Sequence, residues 1–129
     1  MRALAHVSLA IVALLHVWFF VLETFLWQTE LAAKMLQMSS AEAAATAVLA
    51  GNQGVYNAVF AAGLVWGLSL KDVARSLPVR RFFLLSVIAV GIYGALSARI
   101  LVLFVQVVPA LVSLVLVTLA ARNEQKNAR

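Results

Sequence analysis

Two titratable side chains, His16 and Glu23, stand inside the apolar run "HVWFFVLETFLW" (16–27). A carboxylate within a membrane-length stretch costs at least about 2.5 kcal/mol when charged and unpartnered, so such residues face a cavity or a partner. At 100° per residue His16, Glu23 and Trp27 fall in one narrow sector of a helix. About 10 Å of rise nevertheless separates His16 from Glu23, so a water, a ligand or another helix must bridge them.

A second polar set opens the next apolar run, in "GNQGVYNA" (51–58). Asn52 and Tyr56 share one helical stripe, and Gln53 and Asn57 share the neighbouring one. Tyr93, Arg99 and Gln106 are the other candidates in later apolar segments. Together these residues could orient a polar ligand through amides, with Glu23 taking a proton or a cation. They could instead act as an enzyme site on a lipid or quinone-like substrate, with His16 or Glu23 as general base and Arg99 or the amides stabilising negative charge. A third reading makes them interhelical contacts of an accessory subunit, each worth about 0.6 to 2 kcal/mol. Glu23 and Arg99 are read either as an ion pair or as two charges flanking a ligand.

No activated nucleophile or cofactor fingerprint accompanies them, which weighs against the enzyme reading, and no cofactor is expected. The chain has no cysteine and only two histidines. Neither histidine stands at His-x-x-x-His or Glu-x-x-His spacing, so no metal site is expected.

The elements that must position these residues follow from composition. At 64% hydrophobic and 12% charged, the 129-residue chain is far more apolar than a soluble domain, in which about a quarter of residues are charged. Its partner is therefore the lipid bilayer. The formal charge of +5 is read against membrane orientation, and nucleic acid is not an expected partner. A bilayer core of about 30 Å needs about 20 helical residues. The sequence predicts an all-α membrane protein, a four-transmembrane-helix bundle in one domain (1–129), with spans near 3–27, 52–70, 82–98 and 101–121. The run from Ala3 to Trp27 is too long for a signal peptide's apolar core of about 7 to 15 residues, so it is read as an uncleaved span. The stretch from Phe82 to Ala121 would reach about 60 Å as one helix, so a break is placed near Ser97-Ala98-Arg99. Pro109 is then expected to kink the fourth span and free a carbonyl one turn earlier.

Charge parity supports four crossings. Arg2, the basic segment holding Lys71, Arg75, Arg80 and Arg81, and the C-terminal Arg122, Lys126 and Arg129 must share one side, leaving Lys34 and Arg99 opposite. Both termini are thereby assigned to the cytoplasm. In the first outer loop, Ser39-x-x-Glu42 reads as a capping box opening a short helix over "AEAAATAVLA". Gly51 is expected to close that helix and Asn52 to cap the second span. Gly63 and Gly67 form a GxxxG pattern, and Gly91 opens its small-xxx-small relative. Both indicate close helix approach, and the first offers a surface for a homodimer.

The segments "HVWFFVLETFLW", "NQGVYNAVFAAGLVWG" (52–67), "GIYGA" (91–95) and "VQVVPALVSL" (105–114) together resemble a family of small bacterial integral membrane proteins, domain of unknown function 1304. The resemblance covers most of the chain, with its pieces in order. It implies a four-span inner-membrane protein with no established activity. The matching positions are His16, Glu23, Trp27, Asn52, Gln53, Gly54, Tyr56, Asn57, Gly91, Tyr93, Gly94, Gln106 and Pro109. The expected function is binding or transport of an unidentified small polar or amphipathic molecule in the outer half of the bundle.

Overall fold

The computed structural model describes residues 1–127, all of whose regular structure is helical. Arg129, counted above among the C-terminal charges, lies outside the described residues. The first helix, α1 (Arg2–Val21), runs directly into a π-helical turn over Leu22–Leu26. A short helix α2 (Glu30–Leu36) follows, capped by the Thr29 hydroxyl and closed by Gln37 in the left-handed conformation at φ 51°. The long α3 (Ser40–Ser69) and α4 (Val73–Ser97) come next. A second π-helical turn, Leu103–Val107, leads into α5 (Val108–Asn127).

Three stretches are long and apolar enough to cross a membrane, Arg2–Leu26, Val73–Ser97 and Leu103–Asn127. At 25 residues each they reach about 38 Å, more than a bilayer core. The 30 residues of α3 are longer still. Its polar stretch from Asn52 to Asn57 interrupts it, so it is not among the stretches apolar enough by composition to cross a membrane.

The long helices pack in a ring, α1 on α3, α3 on α4, α4 on α5 and α5 back on α1. The core draws on all four, with Leu9, Val12, Leu64, Leu84, Val87, Ala110 and Val117 buried. Large apolar side chains such as Leu14, Val65, Phe82, Leu96 and Val115 point outward. Lipid-facing helices gain little hydrophobic stabilisation from one another, so small residues that let backbones approach must supply the packing. Gly63 lies against the Phe83 ring and Gly67 against the Arg80 side chain. The GxxxG face thus packs against α4 of the same chain. Gly91 lies against Val107 and Gln106, where a Cβ would crowd the second π turn.

Two expectations are corrected. The capping box forms as read, with the Ser39 N–H donating to Glu42 Oε2 (2.8 Å) and the Glu42 N–H donating to the Ser39 hydroxyl (3.2 Å). The helix it opens does not stop, however. It passes through Gly51 and Asn52 as ordinary helical residues, with no glycine at positive φ. A helical glycine costs only about 1 kcal/mol relative to alanine. A break would instead strand backbone groups at the head of an apolar segment, where each unmet hydrogen bond costs more. The loop's short helix is α2, one segment earlier than expected.

The basic segment after Leu70 is likewise not a loop. Asp72 caps α4 by accepting from the Ala74 N–H at 2.9 Å, so Arg75, Arg80 and Arg81 are helical. Arg80 is buried. Its Nε donates to the Gly67 carbonyl (2.8 Å), one of the carbonyls left open at the end of α3. Its Nη2 donates to His6 Nε2 (3.3 Å), and His6 Nδ1 donates to the Arg2 carbonyl (2.8 Å). Arg2 meets Glu124 at 3.5 Å, so one polar network ties together the ends of all four long helices.

Candidate functional site

The two π turns carry the polar residues that matter most. A π turn inserts an extra residue into the helical ladder, widens it locally and re-aims the side chains around it. For the second turn the cause is Pro109. Lacking an N–H, it cannot bond the Val105 carbonyl, and the Val108 N–H reaches back to Leu103 instead. The Val105 carbonyl that Pro109 was expected to free lies in this turn, which also holds Gln106. The first turn contains neither proline nor glycine, and it holds Glu23. Opposite it stands Gly54, whose missing Cβ lets α3 approach the Phe20 carbonyl and the Thr24 backbone nitrogen, each 3.2 Å from where a Cβ would be. Thr24 Oγ1 is buried there with no hydrogen-bond partner.

Glu23 and Asn57 meet across this junction. Asn57 Nδ2 donates to Glu23 Oε2 at 2.7 Å and to the Gln53 carbonyl at 3.3 Å. A cavity of about 280 Å³ lies beside the pair, walled by apolar groups including Phe19, Leu22, Trp27 and Met38, with Arg99 and Gln106 also in its lining. A wider groove of about 860 Å³ runs between α3 and α4, flanked by Gln53, Tyr56 and Tyr93. Glu23, Asn57, Ala98, Val102 and Gln106 line both spaces, so the two are contiguous.

Most of the expected site residues therefore converge on this region. Glu23, Asn57 and Gln106 lie at its centre, Gln106 donating to the Val87 carbonyl at 3.4 Å. Gln53, Tyr56 and Tyr93 flank the groove and are exposed. Arg99 is exposed and forms no ion pair with Glu23. The ion pairs among the described residues are Arg2–Glu124, Lys34–Glu30 and Arg75–Asp72.

His16 is the exception. It lines neither space and sits 1% exposed in the core, its Nδ1 donating to the Val12 carbonyl at 2.8 Å while Nε2 has no partner. Phe19, which lines the cavity, and Phe60, which lines the groove, stand edge-on to the imidazole at 6.1 and 5.8 Å. The rise along α1 that keeps His16 from Glu23 also leaves it beneath these rings. Asn52 faces outward and lines neither space.

Some of the lining was not foreseen. Leu36 and Met38, from the segment around α2, also line the cavity; their signal was the apolar side chains that recur in this short connection. Trp27 Nε1 donates to the Thr46 hydroxyl (3.0 Å), fastening the end of the first π turn to the N-terminal part of α3.

Fold and site together define an all-helical membrane-embedded protein with a partly buried polar cluster at one end of its bundle. The chain belongs to the family described as "Protein of unknown function (DUF1304)", whose model matches residues 10–118. No curated protein and no solved structure matches it.

Proposed function

We propose that the protein is a four-span bundle of the bacterial inner membrane, both termini cytoplasmic, that binds or carries a small polar or amphipathic molecule through the cavity at Glu23. The observation that carries this reading is the environment of Glu23. Its carboxylate is held by one amide beside a cavity of about 280 Å³, and the guanidinium lining that cavity is not paired with it. A structural role would close these groups on one another, as an unsatisfied charge in apolar surroundings is costly. Leaving them apart beside open volume suits a ligand that meets them both.

Supporting the fourth crossing, α3 is long enough to span and takes its place in the ring between α1 and α4. The charge parity of the sequence then puts the Arg80 network on the cytoplasmic side and the cavity on the outer side. The test is Glu23→Gln in proteoliposomes, read as pH-linked ligand binding or flux. Loss of the pH dependence with the helical content intact is expected, and an unchanged response refutes the assignment.

A further inference from the structure

Hydrogen-bond accounting in the cavity identifies what kind of group would occupy it. Asn57 has two side-chain N–H donors, and both are used, one on Glu23 Oε2 and one on the Gln53 carbonyl. What remains on this amide is its Oδ1 acceptor. Gln106 commits one of its two N–H donors to the Val87 carbonyl, leaving its other N–H and its Oε1 acceptor without a bond. Glu23 is an acceptor at both oxygens when ionised, and only Oε2 is engaged within the protein. Three side chains that line the same space thus offer acceptors, a complement to a group with several N–H donors. A primary ammonium carries three N–H donors and a positive charge.

Arg99 supplies the opposite pole. Its guanidinium has five donors, lines the same cavity and forms no ion pair among the described residues. Guanidinium geometry matches phosphate or carboxylate oxygens in a bidentate arrangement. The cavity therefore presents acceptors and a carboxylate on one hand and a phosphate-type donor fork on the other. Its volume of about 280 Å³ lies near the small end of ligand sites, which begin at about 300 Å³. A headgroup fits such a space and a whole lipid does not. The contiguous groove between α3 and α4, flanked by the exposed Tyr56 and Tyr93, has room for chains and faces laterally.

We propose that the occupant is a phospholipid whose headgroup carries a primary ammonium. The ammonium meets Glu23, Asn57 and Gln106, the phosphate meets Arg99, and the acyl chains lie in the α3–α4 groove. This rests on the reading of the cavity as a binding site. A quaternary ammonium has no N–H to give these acceptors, and an anionic headgroup without an amine leaves Glu23 unmatched.

The test is native mass spectrometry of the detergent-solubilised full chain titrated with phosphatidylethanolamine, phosphatidylcholine or phosphatidylglycerol of identical acyl chains. Soluble O-phosphoethanolamine is added as a competitor in a parallel series. Phosphatidylethanolamine is expected to be retained at least about tenfold more tightly than the other two lipids, a margin set by one matched group. Glu23→Gln is expected to erase that preference, whereas Arg99→Gln is expected to weaken all three lipids alike and leave their order unchanged. Arg99 is exposed in the turn after α4, so its variant keeps the bundle; if Glu23→Gln fails to fold, unchanged retention of phosphatidylethanolamine by Arg99→Gln overturns the phosphate contact and with it the headgroup assignment. Equal retention of all three lipids overturns the headgroup assignment while leaving an amphiphile-binding cavity. Competition by O-phosphoethanolamine at the affinity of the lipid overturns the lipid in favour of a soluble zwitterion. Retention of no amphiphile or zwitterion overturns both this proposal and the binding function.

Discussion

Gly51 and Gly54 are three residues apart in α3, and replacing each with alanine should move stability in opposite directions. Both substitutions gain the same helix propensity, about 1 kcal/mol, because both positions are interior and helical. At Gly51 nothing lies within 4 Å of a new Cβ, so the gain stands alone. At Gly54 the new methyl meets Thr24 Oγ1 together with the Phe20 carbonyl oxygen and the Thr24 nitrogen, the last two at 3.2 Å. A hydroxyl can rotate away, but backbone atoms of a packed helix must be pushed, and overpacking of this kind costs about 1 to 3 kcal/mol. Subtracting one variant from the other cancels the propensity gain, so Gly51→Ala should exceed Gly54→Ala by about 1 to 3 kcal/mol. Reversible unfolding in mixed micelles measures the difference, and a thermal melt should show it as several degrees. A destabilised Gly51→Ala would mean that Gly51 holds a left-handed, helix-ending conformation after all. That result refutes the continuous α3 and restores a break at the mouth of the second span.

Three other outcomes follow. Asn57→Ala removes the sole partner of Glu23 Oε2 and should cost about 1 to 3 kcal/mol in the same unfolding assay; Asn57→Ala with wild-type stability would show the contact to be immaterial. Single cysteines at positions 75 and 126 should react with membrane-impermeant reagents only from the cytoplasmic side, and outside-only labelling would sink the orientation. The Ser39 N–H and hydroxyl hold the Glu42 carboxyl below its ordinary range. A depressed folded pKa contributes stability that is present above the unfolded value and is lost as pH falls through the folded one. The protection of amides at the start of α3, taken against their intrinsic exchange at each pH, should therefore fall on acidification below the ordinary carboxylate range, and Glu42→Gln should flatten that dependence.

Much of this arrangement is legible in the sequence, for identifiable reasons. Apolar runs of membrane length and the turn at Ala98 follow from hydropathy and chain length, and Ser39-x-x-Glu42 is a local motif that forms on its own residues. Gly51 misleads because propensity weighs it by itself, whereas its conformation is decided by backbone groups that would lose their partners on both sides of a break. Arg80 misleads because it stands in a cluster of basic residues between two apolar runs. Its aliphatic stem lies on Gly67 and its head completes a helix end, neither of which is visible without the neighbouring helix. The helical wheel that aligned His16, Glu23 and Trp27 assumed an unbroken step of 100° per residue, and the π turn over Leu22–Leu26 interrupts it.

The two π turns also show why the site lies where it does. In a bundle whose backbone must remain bonded, a polar side chain can be turned inward either by losing hydrogen bonds or by adding a residue to the ladder, and the second keeps the backbone satisfied. Pro109 forces this choice in one helix, while the close approach of Gly54 accompanies it in another. As a result Gln106 and Glu23, 83 positions apart in sequence, line the same space as Asn57 of α3. The lower half of the bundle has no such interruption and is filled by Leu9, Val12, Leu64, Leu84 and Val117. A scaffold that is packed below and widened above by two independent devices places its polar residues where lipid and solvent can reach them. An accessory subunit held together by buried amides would need neither device, because straight helices with Gly63 and Gly67 at their contact already pack.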